Sequence, residues 1–173
     1  MSQQRWVDIL KNTFLFANWS ETERMTVVRL GQILQFAPDH IVLDIEEPGH
    51  GLYILLEGVC RVCIPNEQRP SPDVIARLQA PTVFGELSFI DRQPTVAQVQ
   101  AETPVTVLFL PRDAFSAFLR QHPEIERRFL WALAELLAMR IRSTDQQLLL
   151  ARELMLRSMR MLALASLGTR EES

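Results

Sequence analysis

Between Pro123 and Gly168 the chain carries neither glycine nor proline. A stretch without helix breakers, opened by a proline suited to the first helical position and by Glu124 and Glu126 where the helix dipole favours acids, predicts a helix of up to about 65 Å. A domain of this size needs far less to cover one core, so the excess length requires a partner. Ile141, Thr144, Leu148, Ala151, Met155 and Leu162, with Leu137, Ser158 and Ala165, alternate four and three apart. That is the seam of a two-stranded coiled coil, and the expectation is a parallel homodimer through residues 138–165. Two alternatives stay open. The helix can fold back on its own domain, or Ser143-Thr144-Asp145 followed by Gln147 can cap a fresh helix and break the rod.

The rest of the chain divides by period. Trp6, Ile9, Leu10 and Phe14 recur at helical spacing within residues 5–17, and Ser20 with Glu23 forms a capping box for a second helix over 21–31. Short β-rich runs then follow at 33–36, 41–44, 52–56, 59–64, 74–78, 96–101 and 105–110, punctuated by Pro, Gly, Asp and Asn. Seven or eight such strands predict a small antiparallel β-roll or jelly roll, an α+β fold flanked by N-terminal helices and the long C-terminal helix. Residues 65–73 read as a hairpin loop. Asp113 is the expected N-cap of a short helix reaching Gln121. We read residues 1–173 as one domain, with helices over 1–32, the roll over 33–111 and helices over 112–167.

With 18 basic against 21 acidic residues and a net charge of −3, the chain lacks the electrostatic footprint of a nucleic-acid binder. Its start has no apolar signal core, and no apolar run approaches a membrane span, so a soluble cytoplasmic protein is expected. Cys60 and Cys63 match C-x-x-C in form, but they sit in a strand pattern rather than at a helix start, and no further soft ligands accompany them. Strict alternation places Cys60, Val62 and Ile64 inward and Arg61 and Cys63 outward. His40, His50 and His122 are too scattered for a metal centre, and no nucleophile elbow, P-loop or dinucleotide fingerprint is present, so no enzyme activity, metal or cofactor is expected.

One segment carries chemistry. In Phe84-Gly85-Glu86-Leu87-Ser88-Phe89-Ile90, Gly85 permits close backbone approach, and the N–H groups of Gly85 to Ser88 open a helical turn that can cradle an anion. Together with Pro94 through Ala97-Gln98-Val99-Gln100-Ala101, with Leu52-Tyr53-Ile54-Leu55 before Glu57-Gly58, and with Phe118-Leu119 before His122-Pro123-Glu124, it resembles the cyclic nucleotide-binding domain family. That family has catabolite-activator and kinase-regulatory-subunit branches. The resemblance spans residues 10–142 and implies a regulatory, non-catalytic sensor whose ligand is cyclic AMP or cyclic GMP. It implies a cassette over 84–101 in which Phe84, Gly85, Glu86, Leu87, Ser88, Arg92, Pro94, Thr95, Val96 and Ala97 surround the ligand, the acid at Glu86 accepting from the ribose 2′-hydroxyl.

In the family an arginine pairs with the cyclic phosphate at the position held here by Thr95. A charge-assisted pair worth about 1.5–3 kcal/mol, tenfold to a hundredfold in affinity, is therefore missing. Arg92 lies in the same loop, within reach of compensating. Asp39, Glu46 and Pro81 stand where the family favours glycine; Asp39 tolerates such a turn, whereas Glu46 and Pro81 imply locally altered loops. The activator branch continues from its long helix into a DNA-reading domain, whereas here residues 168–173 remain, so DNA binding by this chain alone is not expected. The readings that compete are a homodimeric sensor addressing an effector protein and a homodimeric interaction scaffold without a small ligand.

Overall fold

The computed structural model describes residues 3–168 except Glu47, Glu67 and Pro70, with the side chains of 161–168 outside the description. Eight strands form the roll: β1 Gln32–Phe36, β2 Ile41–Leu43, β3 Gly51–Glu57, β4 Val59–Ile64, β5 Asp73–Gln79, β6 Thr82–Phe84, β7 Gln98–Ala101 and β8 Val105–Pro111. They pair antiparallel in two sheets of four, ordered β1-β8-β3-β6 and β2-β7-β4-β5. Inward residues of both sheets, among them Leu43, Tyr53, Leu55, Cys60, Phe84, Val99 and Val107, share one core. β3 and β8 are almost wholly buried and read as near-continuous apolar runs, whereas the edge strand β5 is largely exposed.

β6 is a strand that the sequence pattern did not separate. Only three residues long, it lies between Pro81 and Gly85 and pairs with β3, Tyr53 opposite Phe84. The inward–outward assignment of β4 also needs correction. The β4–β5 register shifts opposite Val62 and Cys63 because Ile75 on β5 is left without a partner, while β4 stays in continuous register with β7; alternation along β4 is kept, yet it does not decide burial there. Cys63 is fully buried like Cys60, while Val62 is half-buried and Ile64 faces solvent at 36% exposure.

Helix α1, Gln3–Lys11, stops short of the expected residue 17. The backbone N–H groups of Asn12 and Thr13 turn to the carbonyls three residues back, the Thr13 hydroxyl donates to Leu10 O at 2.6 Å, and Thr13 itself is extended. A single 3-10 turn over Phe14–Phe16 follows. α2, Glu21–Leu30, starts with the full capping box: Glu23 N–H donates to Ser20 Oγ and Ser20 N–H to the Glu23 carboxylate. After β6 comes α3, Glu86–Asp91. α4, Arg112–Gln121, is capped by Pro111 rather than by Asp113, which falls in its first turn: β8 runs directly into the helix, and Pro111 supplies the required φ. α5 is one helix, Pro123–Gly168. Thr144 donates its hydroxyl back to Arg140 O instead of capping a new helix, so the rod is unbroken at 143–145.

The chain forms two compact units, residues 1–130 and 131–173. The first holds the roll and an aromatic cluster in which Phe16, Trp19, Phe115 and Phe129 meet with ring centres 5.1–6.5 Å apart. The second is the continuation of α5, whose residues 141–160 are all solvent-exposed. No helix among the described residues is long and apolar enough to cross a membrane.

Candidate functional site

The cassette is assembled from the β6–α3 turn, α3 and the loop leading to β7. Gly85 adopts φ 75°, the left-handed region, and caps α3. A side chain there would be strained and would place its Cβ 3.0 Å from the Tyr53 ring. Behind α3 the loop before β3 comes close: a Cβ on Gly49 would stand 2.4–2.6 Å from Ser88, a backbone approach that only glycine allows. Arg112 completes the support, donating through Nη2 to Ser88 O, with its guanidinium 5.9 Å from the Phe89 ring centre.

Within this frame Glu86 and Ser88 are buried, at 3% and 5% exposure, while Leu87 and Ile90 face solvent. Phe89 points the other way, into the aromatic cluster, with its ring centre 5.9 Å from that of Phe115 and 6.2 Å from that of Phe129. α3 therefore joins the cassette on one side to α4 and the first turns of α5 on the other. Phe84 is buried in the roll against Tyr53, their rings stacked at 5.2 Å.

The loop after α3 decides the electrostatics. Arg92 closes the helix in the left-handed conformation at φ 61°, exposed, and its guanidinium makes no ion pair among the described residues. Pro94 bridges to Pro48. Thr95 is buried, and its hydroxyl donates to the backbone carbonyl of Asp44. Its own carbonyl accepts from Glu46 N–H at 3.0 Å. Val96 is 76% exposed and Ala97 half-buried. A carboxylate completes the group: Asp44 Oδ1 accepts from Gln98 Nε2 at 2.7 Å and from Ile45 N–H at 2.8 Å. These bonds from Gln98 and Ile45 hold its carboxyl below the usual aspartate range.

The expected site residues thus fall into two groups. Gly85, Glu86, Ser88, Pro94 and Thr95 surround the β6–α3 turn and its closing loop; Leu87, Arg92 and Val96 are its exposed rim. Asp39 and Glu46, expected at turns that favour glycine, adopt φ 66° and 62°, so the left-handed turns are kept; Asp39 tolerates the conformation, whereas at Glu46 it strains the backbone. Gly49, Asp44, Gln98 and Arg112 escaped the sequence reading. Pro48-Gly49-His50-Gly51 gave a turn signal but nothing to say which helix would lie against it. Along the rod, Ile141, Thr144, Leu148, Ala151 and Met155 are exposed, and the Leu162 side chain lies outside the described residues.

A model described as the cyclic nucleotide-binding domain matches residues 33–122. The HTH-type transcriptional regulator Cmr of Mycobacterium tuberculosis is 31% identical over 104 residues, 60% of this chain and 42% of that protein. The CRP-like cAMP-activated global transcriptional regulator of the same species is 28% identical over 142 residues, 82% of this chain and 61% of that protein. The chain therefore spans less than two thirds of either regulator. Among solved structures, a cyclic nucleotide-binding domain from Methylobacillus flagellatus is similar with a TM-score of 0.73 at 26% identity, covering 85% of this chain and 82% of the other. The family match takes in every strand from the second residue of β1 onward, the whole cassette and α4 up to its cap, and the chain belongs to the cyclic nucleotide-binding domain family.

Proposed function

We propose that this chain is a non-catalytic regulatory module of the cyclic nucleotide-binding type that signals through α5 as a homodimer and binds cyclic AMP or cyclic GMP weakly or not at all. Thr95 carries the reading. It is buried where the family resemblance puts a phosphate-pairing arginine, it brings no charge, and its hydroxyl proton is already committed to Asp44 O. An anionic cyclic phosphate in the cassette would meet the cradle N–H groups without a cation at position 95, in the neighbourhood of ionised Asp44. The left-handed Gly85 and the buried Glu86 at the start of α3 support reading the cradle as kept, with Glu86 as the acceptor for a ribose hydroxyl.

The route for a signal is also supported. Phe89 leaves α3 to meet Phe115 and Phe129, so a shift of the cassette helix would be felt where α5 begins. Calorimetric titration of the wild type and of Thr95→Arg with cyclic AMP and cyclic GMP tests the reading. Wild-type binding should be weaker than the low micromolar range, and the arginine should strengthen it about tenfold to a hundredfold. Low-micromolar binding by the wild type would overturn the proposal and assign the missing charge to Arg92 or another group. A second reading, a ligand-free interaction scaffold, is favoured by the same Thr95 hydrogen bond; it holds if Thr95→Arg binds neither nucleotide.

A further inference from the structure

The apolar surface of the rod is wider than a two-stranded coiled coil needs. At 100° per residue, Leu148 and Met155 mark the seam direction, Leu149 and Leu156 lie roughly 100° to one side, and Leu150 and Leu154 roughly 100–150° to the other. The apolar arc over residues 148–156 therefore spans roughly 260°, against the ~100° stripe with which a helix covers one core. Arg152 alone interrupts it, and Glu153, Arg157 and Arg160 fill the remaining strip. The off-seam leucines are not buried within the chain: Leu149, Leu150, Leu154 and Leu156 are 59%, 60%, 63% and 47% exposed.

One flank has an order of its own. Leu150, Leu154, Arg157 and Met161 are spaced four, three and four apart, a second heptad stripe with an arginine inside it. Glu153 and Arg160 each precede a stripe position by one residue and so line the same edge. Parallel self-pairing of this stripe would set Arg157 against Arg157 and Glu153 against Glu153. Antiparallel self-pairing separates them: Leu150 then lies opposite position 161 of the other helix, Leu154 opposite position 157, and Glu153 beside position 160, twice by symmetry. The stripe is complementary to a reversed copy of itself.

We propose that this stripe is a second seam, through which two α5-linked dimers associate antiparallel into a tetramer. The proposal rests on the dimer reading above. Sedimentation velocity of the 173-residue chain over a rising micromolar series tests both. The wild type should show a dimer–tetramer equilibrium. Leu150→Glu with Leu154→Glu should leave dimers only. Arg157→Leu, which removes the interrupting charge without adding one, should tighten the tetramer about tenfold or more. Glu153→Arg should loosen it, and adding Arg160→Glu should restore it.

A wild type no larger than a dimer at the highest concentration overturns the tetramer and leaves the dimer standing, whereas a monomer overturns both. A Glu153→Arg, Arg160→Glu pair that fails to restore the tetramer overturns the antiparallel alignment on which the proposal depends. So does capture of the chain on phosphatidylserine vesicles without a tetramer, which would make the arc a lipid-facing surface.

Discussion

Thr95 and Asp44 stand 51 positions apart, yet the hydroxyl of the one donates to the backbone carbonyl of the other, and this bond ties the loop after α3 to the end of β2. The bond leaves a residue capable of serving a ligand occupied with the protein's own backbone. Thr95→Val keeps the shape and removes the donor, and losing this part-buried hydrogen bond costs about 0.5–1.5 kcal/mol. Chemical denaturation should show that loss, and Thr95→Ser, which keeps the hydroxyl, should recover most of it. Equal stability of the valine variant and the wild type would mean that the bond does not hold the loop.

The two cysteines give a second expectation. Burial pushes the Cys60 thiol up to about 11, and burial also raises Cys63 despite the Arg61 charge near it. Both should therefore resist alkylation in the folded protein at pH 8, reacting only as fast as the roll opens, and both should label rapidly in denaturant. Stability should also fall as pH rises from about 9 towards 11, because the unfolded chain loses the Cys60 proton first; for that one group the slope is at most about 1.4 kcal/mol per pH unit. Rapid native labelling of Cys63 alone would mean that Cys63 faces solvent, as simple alternation places it, and is not buried like Cys60.

The bulge shows what the sequence could and could not reveal. The order helices, roll, rod was legible because period changes from 3.6 to 2 and back are written in the spacing of apolar residues. The capping box at Ser20 and Glu23 and the helix start at Pro123 were legible for the same reason: each is local chemistry. The irregularity at Ile75 on β5, opposite Val62 and Cys63, is set by pairing between strands, and no window along β4 contains that information. The cassette divides in the same way. Gly85 and Glu86 were found as a contiguous motif, whereas the contacts of Asp44 with Thr95 and of Gly49 and Arg112 with Ser88 join segments that meet only after the two sheets have closed.

For the rod, Leu148→Glu with Met155→Glu puts like charges against each other on the proposed seam and should yield monomers by sedimentation at concentrations where the wild type associates. Both residues are more than half exposed in the single chain, so the variant should keep its helical circular dichroism and the thermal stability of the roll. A wild-type monomer at micromolar concentration would remove the dimer from the functional reading.

The last expectation concerns acid stability and a junction far from the cassette. Burial works to raise the Glu23 carboxyl, but the Ser20 backbone N–H and the Arg128 guanidinium, 2.5 Å away, outweigh it and hold Glu23 below its ordinary value of 4.5. A carboxylate depressed in the folded state adds stability that is present above the unfolded value and is lost as pH falls through the folded one. Denaturation midpoints measured from pH 6 downward should therefore drop below about pH 4.5, and Glu23→Gln should flatten that part of the profile. The glutamine can still cap Ser20 but cannot pair as an ion with Arg128, so at pH 7 it should cost about 0.5–1 kcal/mol, as befits a partly exposed pair. Arg128 also donates to Asn18 O at 2.9 Å, which makes it the clamp between α5 and the turn before α2. Arg128→Ala should therefore destabilise more than Glu23→Gln at neutral pH and show the same flattened acid limb. If the two variants titrate as the wild type does, the ion pair does not contribute to folding.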